Sequence, residues 1–296
     1  NKKLLFLIVP VFMLMYSLAF RHSLGPFYYN IGYDPSYVYL INSLNIAQFE
    51  SPQHVDHPGT PVQVTGAIII KSFYLFFGKS DDISKDVFEY SEKYLKYIFL
   101  FFLIFAAVVL FFCGTHIYRI TGAILPGILL QLSIFSTFTV SFELTSVTSE
   151  IFLIPLCLLL VTFSFSYSLF RKKSNANYLL MFSVICGIAV ATKLIFFPMI
   201  IIPFILIKGM IRKLIFILLT LLFFCISVLP AVSNYEYFSG WVTKLFMHEG
   251  IYGFGEKTII NPMSFLDNLR TVFQSEIFFT ISFILSAVTI FIVIIH

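Results

Sequence analysis

Long apolar runs separated by short polar breaks fill most of the chain. They cover residues 4–20, 62–77, 97–113, 120–140, 151–170, 178–191, 194–207, 214–232 and 277–295. Roughly 20 helical residues cross the hydrocarbon of a bilayer, with about 17 as the lower end. The pattern therefore predicts an all-α, polytopic transmembrane helical bundle. A transmembrane barrel does not fit, because its strands alternate in short units and leave no unbroken apolar runs of this length. The run after Lys2-Lys3 is too long for a signal-peptide core, and no small-residue cleavage site follows it. It is read as a spanning anchor.

Basic residues in short loops set the orientation. Lys2-Lys3, Arg119, Arg171-Lys172-Lys173 and the group Lys208, Arg212 and Lys213 share loops that hold no acid. All of them face the cytoplasm only if residues 62–77 do not cross. That run is short and carries Gln63, Thr65, Gly66, Lys71 and Ser72, so it is placed as a helix at the outer face. The expected architecture is a single module over residues 1–296. It has about eight spanning helices, a cytoplasmic amino terminus and outer loops of about 21–95 and 233–275.

Composition sharpens this picture. Of 296 residues 59% are hydrophobic and 11% charged, against about 45–50% and 25% in soluble domains. A cytosolic globular enzyme, a disordered chain and a nucleic-acid-binding module are thereby excluded. Cys113, Cys157, Cys186 and Cys225 stand singly inside apolar runs and read as small hydrophobes. The chain begins at Asn1 and stops inside an apolar run, so a fragment truncated at its carboxy terminus is expected.

The 15 Asp and Glu residues fall on the outer side in this topology, and function is expected there. Asp34 precedes Pro35 and a segment in which Tyr37, Leu40, Ile41 and Leu44 share one helical face. Asp34 is expected at the N-cap with Pro35 at the first helical position. Beyond capping, a carboxylate facing a surface cavity could act as a general base or bind a divalent metal ion. His54, Asp56 and His57 lie within four residues ahead of Pro58-Gly59-Thr60-Pro61. They offer metal ligands, polar contacts to a phosphate or sugar, or simply a chain break before the surface helix. Residues 81–92 read as a solvated amphipathic helix without chemistry.

Glu143 and Glu150 flank a short outer turn, and Glu150 opens a helix after Thr148-Ser149. A charge within hydrocarbon costs about 2.5–3.5 kcal/mol on insertion scales, so Glu150 belongs at the interface or in a wet cavity. Lys193 sits between two short apolar runs, either snorkelling to the interface or serving as the cation for a lipid-linked phosphate. In the second outer loop Tyr252 lies within a Gly-rich stretch with Phe254. Its ring suits a sugar face or the membrane interface equally.

These residues, in this order, resemble the GT-C class of membrane glycosyltransferases, in particular the protein-mannosyltransferase and aminoarabinose-transferase group. The similarity rests on Tyr33-Asp34-Pro35 after the first helix and on His57-Pro58-Gly59-Thr60-Pro61, where the family more often has His-Pro-Pro. It rests further on Ser149-Glu150, where many members have Asp, and on a Gly-containing helix, Gly187 to Lys193, ending in Thr-Lys. It spans about residues 1–275. The resemblance implies a hexosyl- or pentosyltransferase that moves a sugar with inversion from a polyprenyl-phosphate carrier to a glycan, lipid or protein acceptor at the outer face. It implies that Asp34 is the catalytic acid/base residue or part of a metal site, that Glu150 is a second acid in the cavity, and that Lys193 contacts the carrier phosphate. A bacterial inner membrane is the expected location.

Two other classes compete. A surface-polysaccharide polymerase or ligase would carry arginine clamps in its outer loops, where this chain has only Arg21 and Arg270. A lipid-linked glycan transporter would bury ionisable residues at mid-membrane, and no Asp or Glu interrupts the middle of an apolar run.

Overall fold

The computed structural model describes residues 2–29, 35–55, 59–169, 176–247 and 262–295. Those residues form helices and turns only, with no strand among them. Fourteen α-helices are used below: α1 (Ile8–Leu24), α2 (Ser36–Ala47), α3 (Thr60–Phe77), α4 (Ile83–Glu89), α5 (Ser91–Thr121), α6 (Ile124–Leu132), α7 (Phe138–Glu143), α8 (Ser149–Leu169), α9 (Ala176–Thr192), α10 (Ile201–Leu206), α11 (Met210–Val228), α12 (Tyr235–Met247), α13 (Pro262–Ser275) and α14 (Ile277–Ile295). Among the described residues five stretches are long and apolar enough to cross a membrane: Lys2–Leu24, Thr60–Phe77, Ser91–Thr121, Ser149–Leu169 and Met210–Lys244. Side chains such as Ile104, Val108, Leu218 and Leu221 point outward at 53–59% exposure. A soluble surface rarely carries so much contiguous apolar area. The chain is a multi-pass membrane protein whose described residues are all-α.

The central element is α5, whose 31 residues extend about 46 Å at 1.5 Å per residue. Its neighbours are oriented by ring and hydrogen-bond contacts. Phe6 meets Tyr118, and Phe27 meets Phe99, so α1 runs antiparallel to α5. The amide of Gln131 on α6 donates to the carbonyl of Leu110 and to that of Phe6. Phe152 packs on Phe102, and His116 meets Phe163 and Ser166, so α8 runs parallel to α5. Tyr178 bonds Ser166, and Tyr167 packs on Phe182, which returns α9 antiparallel to α8. Ser183 donates to the Phe216 carbonyl and aligns α11 parallel with α9. Gly187 makes this last approach possible. A Cβ there would sit 2.6 Å from the Cβ of Phe223 and 2.8 Å from the Thr220 carbonyl oxygen. One buried core follows α5 and a second fills the space between α8, α9 and α11 around Phe163, Phe182 and Phe216.

These directions define two ends. Phe6, Tyr118, Ser166 and Tyr178 lie at one, beside Lys2, Lys3 and Arg119. The starts of α5 and α8 and the end of α9 lie at the other, which holds Asp86, Glu92 and Glu150. Although α3 matches a membrane span in length, both of its ends meet this acidic end. Gly59, ahead of its first turn, bonds Thr192 at the end of α9, and Phe73 in its last turns packs on Tyr94 and Tyr97 in the first two turns of α5.

Several sequence expectations are corrected. Residues 120–140 are not one helix. α5 continues through Thr121, and a break at Ser136-Thr137 separates α6 and its 3-10 extension from α7. The hydroxyl of Thr137, in extended backbone, accepts from the Val140 N–H and starts α7 anew. Residues 194–207 form a 3-10 turn, Leu194–Ile200, followed by α10. Pro198 inside that turn has no N–H to give an α-helical ladder. At three of the eight expected crossings stand shorter apolar helices among the described residues, Ile124–Phe135, Ala176–Thr192 and Leu194–Leu206, a finding that leaves the number of crossings as an expectation. The N-cap of α2 is Pro35, with ψ 128°, so α2 starts at Ser36 and Asp34 precedes the cap instead of occupying it. The extended ψ of this proline keeps it out of the helix it introduces.

Candidate functional site

Glu150 stands in the first turn of α8, and Lys193 directly follows α9. Their side chains form an ion pair between Lys193 Nζ and Glu150 Oε1. The antiparallel arrangement of α8 and α9 explains why each charge is tolerated. A carboxylate at a helix N-terminus and an ammonium at a helix C-terminus each lie at the favourable end of a macrodipole, a contribution of about 0.3–1 kcal/mol apiece. With side chains 25% and 21% exposed, the pair is neither sealed from water nor dissolved in it.

The approach to Glu150 is held by short-range bonds. Ser149 Oγ donates to Glu150 Oε2 at 3.0 Å, and Thr148 Oγ1 donates to Glu143 Oε2 at 3.0 Å. The Val147 N–H donates to Ser36 Oγ at 3.0 Å, so the start of α2 is tied to the turn that delivers Glu150. Arg21 closes the same turn from α1. Its Nη1 donates to the Thr145 carbonyl at 3.3 Å, its Nη2 to the Gly25 carbonyl at 2.7 Å, and its guanidinium lies 4.5 Å from the Phe27 ring centre.

The approach to Lys193 is held from α3. The Gly59 N–H donates to the Thr192 carbonyl at 3.1 Å. Gly59 has φ +66°, and a Cβ there would lie 3.3 Å from the Tyr39 ring, so this left-handed position suits glycine alone. His54 is half-buried, with its ring edge-on to Tyr39 at 5.8 Å. Its carbonyl accepts from Gln63 Nε2 at 2.8 Å, and its N–H shares Asn42 Oδ1 with that of Gln53. Asn234 Nδ2 donates to the Pro52 carbonyl at 2.7 Å, which pins the same loop to the segment after α11.

A cavity of about 220 Å³ opens beside the pair, between α8 and the segment from Ser133 to Val140. Leu153, Ile154, Cys157 and Leu158 line it, and Glu150 is its one charged wall. Apart from Ser133 and Glu150 its walls are apolar.

Thus, of the residues singled out from sequence, Glu150 and Lys193 are brought together. His54 anchors the loop that reaches Thr192 through Gly59. Asp34, Asp56, His57 and Tyr252 lie outside the described residues. Among the described residues no three His, Cys, Asp or Glu side chains converge to hold a metal ion.

Sequence reasoning missed a second polar cluster. Residues 81–92 are not merely a solvated helix. Asp86 is buried and accepts from the N–H groups of Lys79 and Ser80, at 2.7 and 2.9 Å, and from the Tyr94 hydroxyl at 2.6 Å. Burial pushes its pKa up, but these bonds outweigh it and hold the carboxyl below its ordinary range. Glu92 accepts from the N–H groups of Phe27 and Tyr28 and from the Tyr37 hydroxyl. Tyr37 OH is pushed above its ordinary pKa, chiefly by burial. Asp82 at the N-cap of α4, bonding Ser84 and Lys85, is the one local signal in the sequence that this segment is ordered.

No family model, curated protein or solved structure matches the chain.

Proposed function

We propose that this chain is the membrane module of a glycosyltransferase that moves a sugar from a polyprenyl-phosphate carrier to an acceptor at the acidic end of the bundle. The observation that supports it best is the half-buried Glu150–Lys193 pair, whose Glu150 lines an apolar cavity, on the helix ends where the resemblance to GT-C enzymes puts an acid and a phosphate-binding lysine. The apolar walls would take isoprenoid carbon, and the carrier phosphate would meet Lys193, the partner of the Glu150 that lines them.

In this reading Lys193 exchanges its carboxylate partner for the carrier phosphate as the donor arrives. The acceptor hydroxyl attacks the anomeric carbon from the face opposite the phosphate. Its proton passes to a carboxylate, for which the resemblance designates Asp34, with Glu150 as the second acid. The bond from the anomeric carbon to the phosphate oxygen breaks, the new glycosidic bond forms, and the released polyprenyl phosphate carries the extra negative charge. A cation beside that oxygen stabilises the charge as it develops. The natural setting is a bacterial inner membrane, with this end outside and the basic end in the cytoplasm.

The test is transfer from radiolabelled polyprenyl-phosphate sugar to membrane glycans by the full-length protein. D34N and K193Q should insert normally and lose transfer by at least about 100-fold, the usual scale for a positioned acid–base group. Wild-type turnover in both variants would overturn the reading.

A further inference from the structure

We propose that the outer face of α3, with Phe49 beside it, is a seat for an anionic phospholipid, whose headgroup Lys71 binds. The proposal rests on the multi-pass membrane placement and not on the transfer chemistry.

Phe49 is the first reason. α2 ends in a Schellman turn, in which the Phe49 N–H reaches the Ile46 carbonyl at 3.0 Å and the Glu50 N–H reaches the Asn45 carbonyl at 2.8 Å. The residue at its left-handed position is ordinarily glycine, yet here it is phenylalanine, with φ 65°. It is the only non-glycine residue with positive φ among those described. The strained backbone holds the ring 90% exposed. A ring held out at an energetic cost makes physical sense where something apolar receives it.

Lys71 is the second reason. Its ammonium lies 3.7 Å from the centre of the Phe49 ring. It makes no hydrogen bond or ion pair among the described residues. It also lines an open cavity of about 490 Å³ with Tyr74, Leu75, Gly78 and Ser80. Leu75, one helical turn on from Lys71 and on the same wall, is 77% exposed. A cation between two exposed apolar side chains, Phe49 and Leu75, on a helix that starts and ends at one end of the bundle, complements a phosphodiester with acyl chains attached. A soluble acidic protein would leave Phe49 and Leu75 in water. An acyl chain alone would leave the ammonium without a counter-charge.

The experiment uses the full chain in nanodiscs of phosphatidylcholine, with or without phosphatidylglycerol. Unfolding is followed by fluorescence and retained lipid by native mass spectrometry. Phosphatidylglycerol should raise the melting temperature by about 2–4 °C and be retained in preference to phosphatidylcholine. Lys71→Gln should cut that preference about fivefold, the contribution of one basic residue at an anionic surface. Phe49→Gly should melt higher in detergent, because the strain is relieved, yet show a smaller gain from phosphatidylglycerol. Equal melting temperatures in the two lipids would overturn the proposal, as would an unchanged preference in Lys71→Gln. So would the same gain from inorganic phosphate added to phosphatidylcholine discs, which would mark a phosphate site instead of a lipid seat.

Discussion

Gly59 donates its backbone N–H to the carbonyl of Thr192, one residue before the lysine that pairs with Glu150. A loop that follows α2 thereby sets the end of α9, across a gap of more than a hundred residues in sequence. The bond requires φ +66° and a bare Cα facing the Tyr39 ring.

Gly59→Ala should lower stability by about 1–2 kcal/mol, the cost of a left-handed residue with a Cβ, with a further loss as the Tyr39 ring yields. On the proposed function transfer should fall as well, because the bond that holds Thr192 beside Lys193 is lost. Thermal unfolding in detergent, followed by Trp241 fluorescence, reads the first effect. An unchanged melting temperature would show that the turn relaxes without strain.

The Glu150–Lys193 pair makes a double-mutant cycle informative. Glu150→Gln leaves a half-buried ammonium without its carboxylate, and Lys193→Met leaves the reverse. Each should cost about 1 kcal/mol, between the small value of an exposed pair and the larger one of a buried pair. The double variant should recover part of that loss, with a coupling of about 0.5–1 kcal/mol. Strict additivity of the two single changes would mean that the side chains do not interact in the folded protein.

Asp86 predicts how the fold responds to acid. Burial raises its pKa, but bonds from Tyr94, Lys79 and Ser80 prevail and place the folded value below the unfolded one. Its stabilisation is therefore complete above the unfolded value, at about pH 4, and is lost as pH falls through the lower folded value. Melting temperature should be insensitive to this group from pH 7 to about pH 5 and drop below about pH 4. Asp86→Asn should be less stable at pH 7 by about 2 kcal/mol, since hydrogen bonds to a charged group are the strong ones, and should show a flatter acid response. A variant with the same acid response as the wild type would assign that response to other carboxylates.

Parts of the site were legible in the sequence. Glu150 stands out as an acid at the start of an apolar run, and Lys193 as a lone cation between two short ones. Their partnership was not legible, because they are 43 residues apart and no local pattern encodes which helices pack side by side. Asp86 and Glu92 were passed over for a related reason. A charged amphipathic stretch looks the same whether its carboxylates meet water or the N–H groups of a folded-back loop. The break at Ser136-Thr137 was hidden because every residue around it is apolar or small, and hydropathy averages over a change in backbone direction.

The residue order alone settled that this is a helical protein of the membrane. Apolar content and run length are local sums, and they have the same meaning in any packing. The folded arrangement decided which charges face one another, that α3 begins and ends at one end of the bundle despite a span-length apolar sequence, and that Phe49 is held outward beside Lys71. Those outcomes depend on helix direction and on single hydrogen bonds between distant segments, and they exist only once the chain has packed.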